Sequence, residues 1–234
     1  MGAVVQGTEP GSGGATPSVG ARRLTARTAS AAAGLVYLAA WAIGLALPET
    51  SVPAGDAPVS ALAGSADEFW RSLLVHGIAG LALLPVACEQ HHRAGLLSVP
   101  YARVLLAAAA AAAVLSLAQF LVGMALAGVL GSPGSGMAAA LWQGLNMADG
   151  VKMLCLALWI SLAALSVRGR AGLLPRWLLP VSLLAVLSLV LSGCGYLLSA
   201  APLMQAAFLA LPLLLFWVVT AALSAGRGRA ALRQ

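Results

Sequence analysis

Lys152 is the only lysine in a chain of 234 residues, and it stands three residues after Asp149 inside an apolar run. An unpaired charge in hydrocarbon is costly, whereas side chains at i and i+3 share one helix face and neutralise each other. The spacing therefore predicts an ion pair between Asp149 and Lys152. Other apolar runs are interrupted by His76, Gln119 and Tyr196, and Asn146 precedes Asp149 by three residues. At about 1.5 Å per residue, Lys152 lies roughly 22 Å from Val167, Gln119 roughly 22 Å from Val104, and His76 roughly 18 Å from Cys88. Three runs thus bring polar groups to one depth, with Asn146, Tyr196 and Gln205 nearer the same end. Such convergence describes a polar pocket open to one side. The plainer alternative is interhelical hydrogen bonding, which satisfies polar groups in bundles that hold no site. Gln143, Asn146, Asp149 and Lys152 recur every three residues, but each step slips by about 60°. The stripe winds round the helix, so only adjacent members share a face.

Other residue types with chemistry lead less far. Glu89, His91, His92 and Arg93 combine metal-ligand types, but neighbouring residues on a helix diverge by about 100° and no further histidine is near. A solvated loop is expected there. Cys88, Cys155 and Cys194 stand singly in three runs without a CxxC, as buried free thiols. His76 lacks a second axial candidate for haem. No aspartate-rich pyrophosphate motif, HExxH, or GxSxG beside a usable histidine occurs. No metal site and no cofactor are expected, and an enzyme here would assemble its site from scattered residues.

The elements that position these residues follow from composition. The chain is 61% hydrophobic and 9% charged, with a mean hydropathy of +0.94, against roughly 45–50% and 25% in ordinary soluble domains. Six apolar runs are visible, at residues 30–47, 70–88, 104–130, 146–167, 177–198 and 203–224. They predict an all-α, polytopic transmembrane bundle of six helices, the last two forming a hairpin around 200–202. Residues 1–28 read as a disordered cytoplasmic tail, 29–225 as the membrane domain, and 226–234 as a basic cytoplasmic tail. The first run is too long for a signal-peptide core, and ARRLTAR lacks the rest of a twin-arginine pattern.

Eleven of the twelve arginines fall on one side of this layout: Arg22, Arg23, Arg27, Arg93, Arg103, Arg168, Arg170, Arg176, Arg227, Arg229 and Arg233. Only Arg71 lies opposite, with Glu49, Asp56, Asp67 and Glu68. The positive-inside rule then places both termini in the cytoplasm. The net charge of +6 flanks apolar runs and forms no basic face, which excludes nucleic acid as a partner. The seven alanines at 107–113 make a smooth helix suited to the middle of a bundle, and Gly77, Gly80, Gly123 and Ala127 allow close approach. Trp41, Trp70, Trp142, Trp177 and Trp217 fall near run ends and read as interface anchors.

From LALLPVACEQHHR through YARVLL, and from NMADGVKMLCLALWISLAALSVRGRAGLLPRWL onward, the chain resembles a bacterial family of six-helix integral membrane proteins classed as a domain of unknown function. PRWL at 175–178 is similar to the segment that closes the arginine-bearing loop after that family's fourth helix, and Asp149 to the acidic residue that opens it. The resemblance implies the six-helix fold and no activity. The chain departs from the pattern in its alanine-rich third helix and at Lys152. Its alanine and arginine richness is similar to that of high-GC actinobacterial proteins.

The functional expectation is a multi-pass protein of the plasma (inner) membrane. It would bind, transport or sense a small molecule or lipid through an outward-opening pocket of His76, Gln119, Asn146, Asp149, Lys152 and Tyr196. The rivals are a membrane-embedded enzyme using the same pocket and a structural subunit of a membrane complex. Expected partners are membrane lipids, the ligand, and a membrane protein or second copy. No internal repeat is apparent, which counts against an inverted-repeat secondary transporter.

Overall fold

A computed structural model describes residues 19–46, 66–97, 99–129, 136–168 and 174–224. Within them six helices carry the chain: α1 (Val19–Ala46), α2 (Ala66–Leu96), α3 (Ala102–Val129), α4 (Gly136–Arg168), α5 (Leu179–Leu197) and α6 (Ala207–Ser224). Short turns, Arg176–Leu178 and Ala201–Met204, lead into α5 and α6. No strand occurs among the described residues. The fold is all-α because only helices satisfy every backbone N–H and C=O within one lipid-exposed segment. With their lead-in turns, α2 to α6 are each long and apolar enough to cross a membrane.

The helices pack in sequence order, and α6 returns against α1, so the bundle is a closed ring. We call the end where α2, α4 and α6 begin the upper end. Small residues set the seams. A methyl group placed on Gly80 would lie 2.7 Å from Ser116 Cβ, one on Gly34 2.6 Å from Ala222 Cβ, and one on Gly150 2.9 Å from the Gly193 carbonyl oxygen. The helix pairs α2–α3, α1–α6 and α4–α5 therefore meet almost backbone to backbone, where dispersion between close surfaces replaces the hydrophobic drive that lipid does not supply. The upper hairpin closes through Ser199, whose φ of 52° puts it in the left-handed region. Ala200 N–H then donates to the Gly195 carbonyl at 2.8 Å, the hydrogen bond that ends a helix in this way.

Several expectations change. Helix α1 begins at Val19, so residues 19–28 are helical where a tail was expected. Residues 1–18 and 225–234 lie outside the described residues, as do Glu49, Asp56, Arg170, Arg227, Arg229 and Arg233. Helix α2 runs beyond Cys88 to Leu96, carrying Glu89 to Arg93 in helix instead of loop. Glu89 and Gln90 are buried, and the His91 ring donates through Nδ1 to the Ala102 carbonyl at 2.9 Å. The alanine-rich α3 is not central. It is one member of the ring, with Ala108, Ala109, Ala112 and Ala113 buried and Ala107 exposed. Cys88 is exposed, while Cys155 and Cys194 are half-buried, and all three are free thiols.

Tryptophans divide in the same way. Trp177 is 56% exposed and packs against Phe216 at 6.0 Å between ring centroids, as an interface anchor does. Trp217, expected at an interface, is fully buried together with Trp159, edge to face at 5.1 Å. The ring needs large side chains on its axis, and two indoles supply them.

Adding one methyl to the same helix at two places tests the seam. Gly150→Ala meets Leu197 and the Gly193 backbone, and it should cost about 1–3 kcal/mol. Gly144→Ala meets nothing within 4 Å and should stabilise by about 0.5–1 kcal/mol through helix propensity. Thermal melting of the two purified variants in detergent should therefore move in opposite directions.

Candidate functional site

The upper half of the ring is organised around one amide. Gln119 of α3 donates through Nε2 to Asp149 Oδ1 at 3.0 Å and to the Leu145 carbonyl at 3.3 Å. Its Oε1 accepts from Lys152 Nζ at 2.7 Å, and Lys152 Nζ lies 2.5 Å from Asp149 Oδ1. Lysine only donates and an ionised carboxylate only accepts, so the amide has one orientation that satisfies all its partners. The result is a closed cycle of three side chains on two helices. The lysine side chain is 8% exposed and that of the aspartate 19%. At such burial the attraction within the pair is strong, and so is the penalty for either charge alone.

Close packing brings α2 to the same level. Gly80 lies against Ser116, so His76, about one turn above Gly80, rises to the height of Gln119, about one turn above Ser116. His76 Nδ1 donates to the Ser72 carbonyl at 2.8 Å. That bond fixes the neutral tautomer and leaves the lone pair on Nε2. The imidazole stands edge-on to Trp41 of α1, with ring centroids 5.2 Å apart. His76 is within electrostatic range of both Asp149 and Lys152, and Tyr196 of α5 within range of Asp149.

Of the residues singled out in the sequence, Gln119, Asp149 and Lys152 are therefore bonded together, with His76 of α2 at a similar height. Asn146 is half-buried on α4 one turn above, and Gln205 is exposed. Neither joins the hydrogen bonds described. Trp41 Nε1 and the Ser192 hydroxyl of α5 are buried without a hydrogen-bond partner among the described residues.

The lower half holds a second polar network that sequence reading missed. Trp159 Nε1 donates to Gln90 Oε1 at 2.9 Å, linking α4 to α2. Trp217 Nε1 donates to Ser182 Oγ at 2.9 Å, and that hydroxyl donates onward to the Leu178 carbonyl at 2.9 Å. Gln90 Nε2 is buried without a partner among the described residues. One signal was available in the sequence. Trp159 is seven residues past Lys152 and eight before Val167, roughly 10–12 Å from each, too deep for an interface indole. Gln90 gave no such signal, because its surroundings in EQHHR look solvated.

The two halves thus differ in kind. The upper one presents a buried ion pair, a carboxylate that is partly accessible and an imidazole with a free lone pair in its neutral form. The lower one is filled by indoles whose N–H groups are satisfied internally. Among the described residues, no group of three histidine, cysteine or acidic side chains could hold a metal ion. No family model, curated protein or solved structure matches the chain.

A double-variant cycle measures the pair. Asp149→Asn or Lys152→Met alone leaves a buried charge without its counter-charge and should cost about 3–5 kcal/mol, less where water reaches it. The double variant should be more stable than either single one. Chemical denaturation in detergent should give a coupling energy above about 1 kcal/mol; additive effects would show that the two groups are solvated.

Proposed function

We propose that this chain is a small-ligand or lipid-binding protein of the bacterial plasma (inner) membrane, acting as a transporter component or sensor through the polar site in the upper half of its ring. The observation that carries the reading is the kind of polar group in each half: the upper half holds the Asp149–Lys152 ion pair, the lower half indoles bonded to Gln90 and Ser182. Helices α2, α3, α4 and α5 all contribute polar side chains at the level of Lys152, whereas the lower half is closed by Trp159 and Trp217. Partial exposure of the carboxylate lowers its desolvation cost and also leaves it within reach of a ligand.

In this reading α1 is the sixth span, both termini are cytoplasmic and the upper end faces outward, as the arginine distribution implies. The six-helix family that the chain resembles agrees with this layout and adds no activity to it.

One observation favours a second reading, in which the cluster is structural and the chain is a subunit of a larger membrane complex. Lys152, Asp149 and Gln119 satisfy one another, and such cycles hold helices together in bundles without a site.

Water access separates the readings. With the three native cysteines replaced, His76→Cys should react with a membrane-impermeant thiol reagent in intact cells, and Ala185→Cys in the closed half should not. Protection at position 76 would favour the structural subunit. In the same cells a cysteine at Ser60 should be labelled and one at Ser12 shielded; the reverse pattern would overturn the orientation.

A further inference from the structure

The cycle around Lys152 contains two acceptors held in place by bonds that do not involve the lysine. Gln119 Nε2 is committed to Asp149 Oδ1 and the Leu145 carbonyl, which turns Oε1 towards the position of Nζ. Asp149 Oδ1 is steered to the same point by Gln119. What the two helices build, with the lysine set aside, is a seat for a primary ammonium: a carboxylate oxygen and an amide oxygen, 2.5 and 2.7 Å from one nitrogen.

We propose that this seat is a receptor for a primary ammonium group, that Lys152 fills it as a tethered stand-in, and that a free amine or the ethanolamine headgroup of a lipid enters by displacing Lys152. The proposal rests on the outward-opening site argued above and names its ligand chemistry.

Three further features point the same way. The carboxylate is the more exposed member of the pair, so more of its surface than of the lysine's is open to an incoming group. The described bonds to that carboxylate all arrive at Oδ1, so an ammonium replacing Lys152 would meet the same oxygen. On the adjoining helix α2, the His76 imidazole can accept a hydrogen bond in its neutral form, and the Trp41 ring beside it suits a cation. An anion would have to draw Lys152 from two acceptors while facing Asp149.

Displacement is open to a lysine in a way it is not to an arginine. The ammonium is compact, sits on a flexible four-carbon stem, and from the outer third of a ~30 Å core can snorkel to the interface. Exchanging one ammonium for another keeps Asp149 neutralised throughout, which avoids the penalty of a bare buried carboxylate.

Because the chain has one lysine, isotope-labelled lysine gives one side-chain resonance in the purified full-length protein. Methylammonium should shift the Lys152 signal saturably towards that of a solvated lysine. Tetramethylammonium, with the same charge and no N–H, and acetate should leave it unmoved. Calorimetry on Lys152→Met should show methylammonium binding about tenfold tighter than wild type, since a tethered competitor acting at high effective concentration has been removed. Lys152→Gln serves if the methionine variant does not fold, and Asp149→Asn should lose binding.

Bilayer discs identify the source. A shift in phosphatidylethanolamine discs that is absent in phosphatidylcholine discs assigns the seat to the lipid headgroup. A shift in phosphatidylcholine discs only after free ethanolamine is added assigns it to a soluble amine. A Lys152 signal indifferent to methylammonium, or one moved by acetate, would overturn the proposal. With His76→Cys labelled, that result leaves the outward-opening site standing; with His76→Cys protected, both readings fall.

Discussion

Hydrocarbon gives an ammonium group no partners, so Lys152 can exist at its depth only if other side chains receive it, and the upper half of the ring is arranged to do that. Asp149 supplies the opposite charge from the same helix face. Gln119 supplies the second acceptor from α3 and ties the carboxylate to its own backbone neighbour. The need for these bonds sets the register of α3 against α4, because sliding either helix by one residue would separate groups that must touch. The electrostatic requirement is therefore also a packing requirement.

Glycine and serine then determine how closely the other helices approach. Gly80 against Ser116 seats α2 beside α3, and Gly150 against Gly193 seats α4 beside α5. With α2 held this close, His76 reaches the level of the cycle and its ring is fixed by the Ser72 carbonyl. Gly34 against Ala222 closes α6 on α1 and turns a sheet-like row of helices into a ring. A ring of six has an axis that must be filled, and below the cycle Trp159 and Trp217 occupy it. A buried indole N–H is costly unless it is paired, which accounts for Gln90 against Trp159 and Ser182 against Trp217.

The site and its floor are consequently built by different means. Above, charge compensation joins Lys152, Asp149 and Gln119; below, edge-to-face indoles and neutral hydrogen bonds fill the bundle. Pro85 in α2 and Pro212 in α6 lie between the two levels and interrupt the helical hydrogen-bond ladders there, where kinks are easiest.

Much of this was legible from the residues alone. Long apolar runs in a chain with so few charges leave no fold but a helical bundle, because lipid forbids unsatisfied backbone. The i, i+3 spacing of Asp149 and Lys152 determines that they share a helix face, and counting rise per residue puts Gln119 and His76 at their depth. What the residues alone did not decide is which helix faces which. Depth is a one-dimensional quantity that sequence position encodes directly. Azimuth around a helix with almost no amphipathic contrast, as in α3, is not encoded by polarity, since lipid and protein interior are equally apolar. Only the assembled ring selects Gln119 to bridge the pair, sends Trp217 to the axis instead of an interface, and draws Gln90 inside to meet Trp159. Those choices depend on side chains of different helices fitting one another, and that fit exists only once all six are packed.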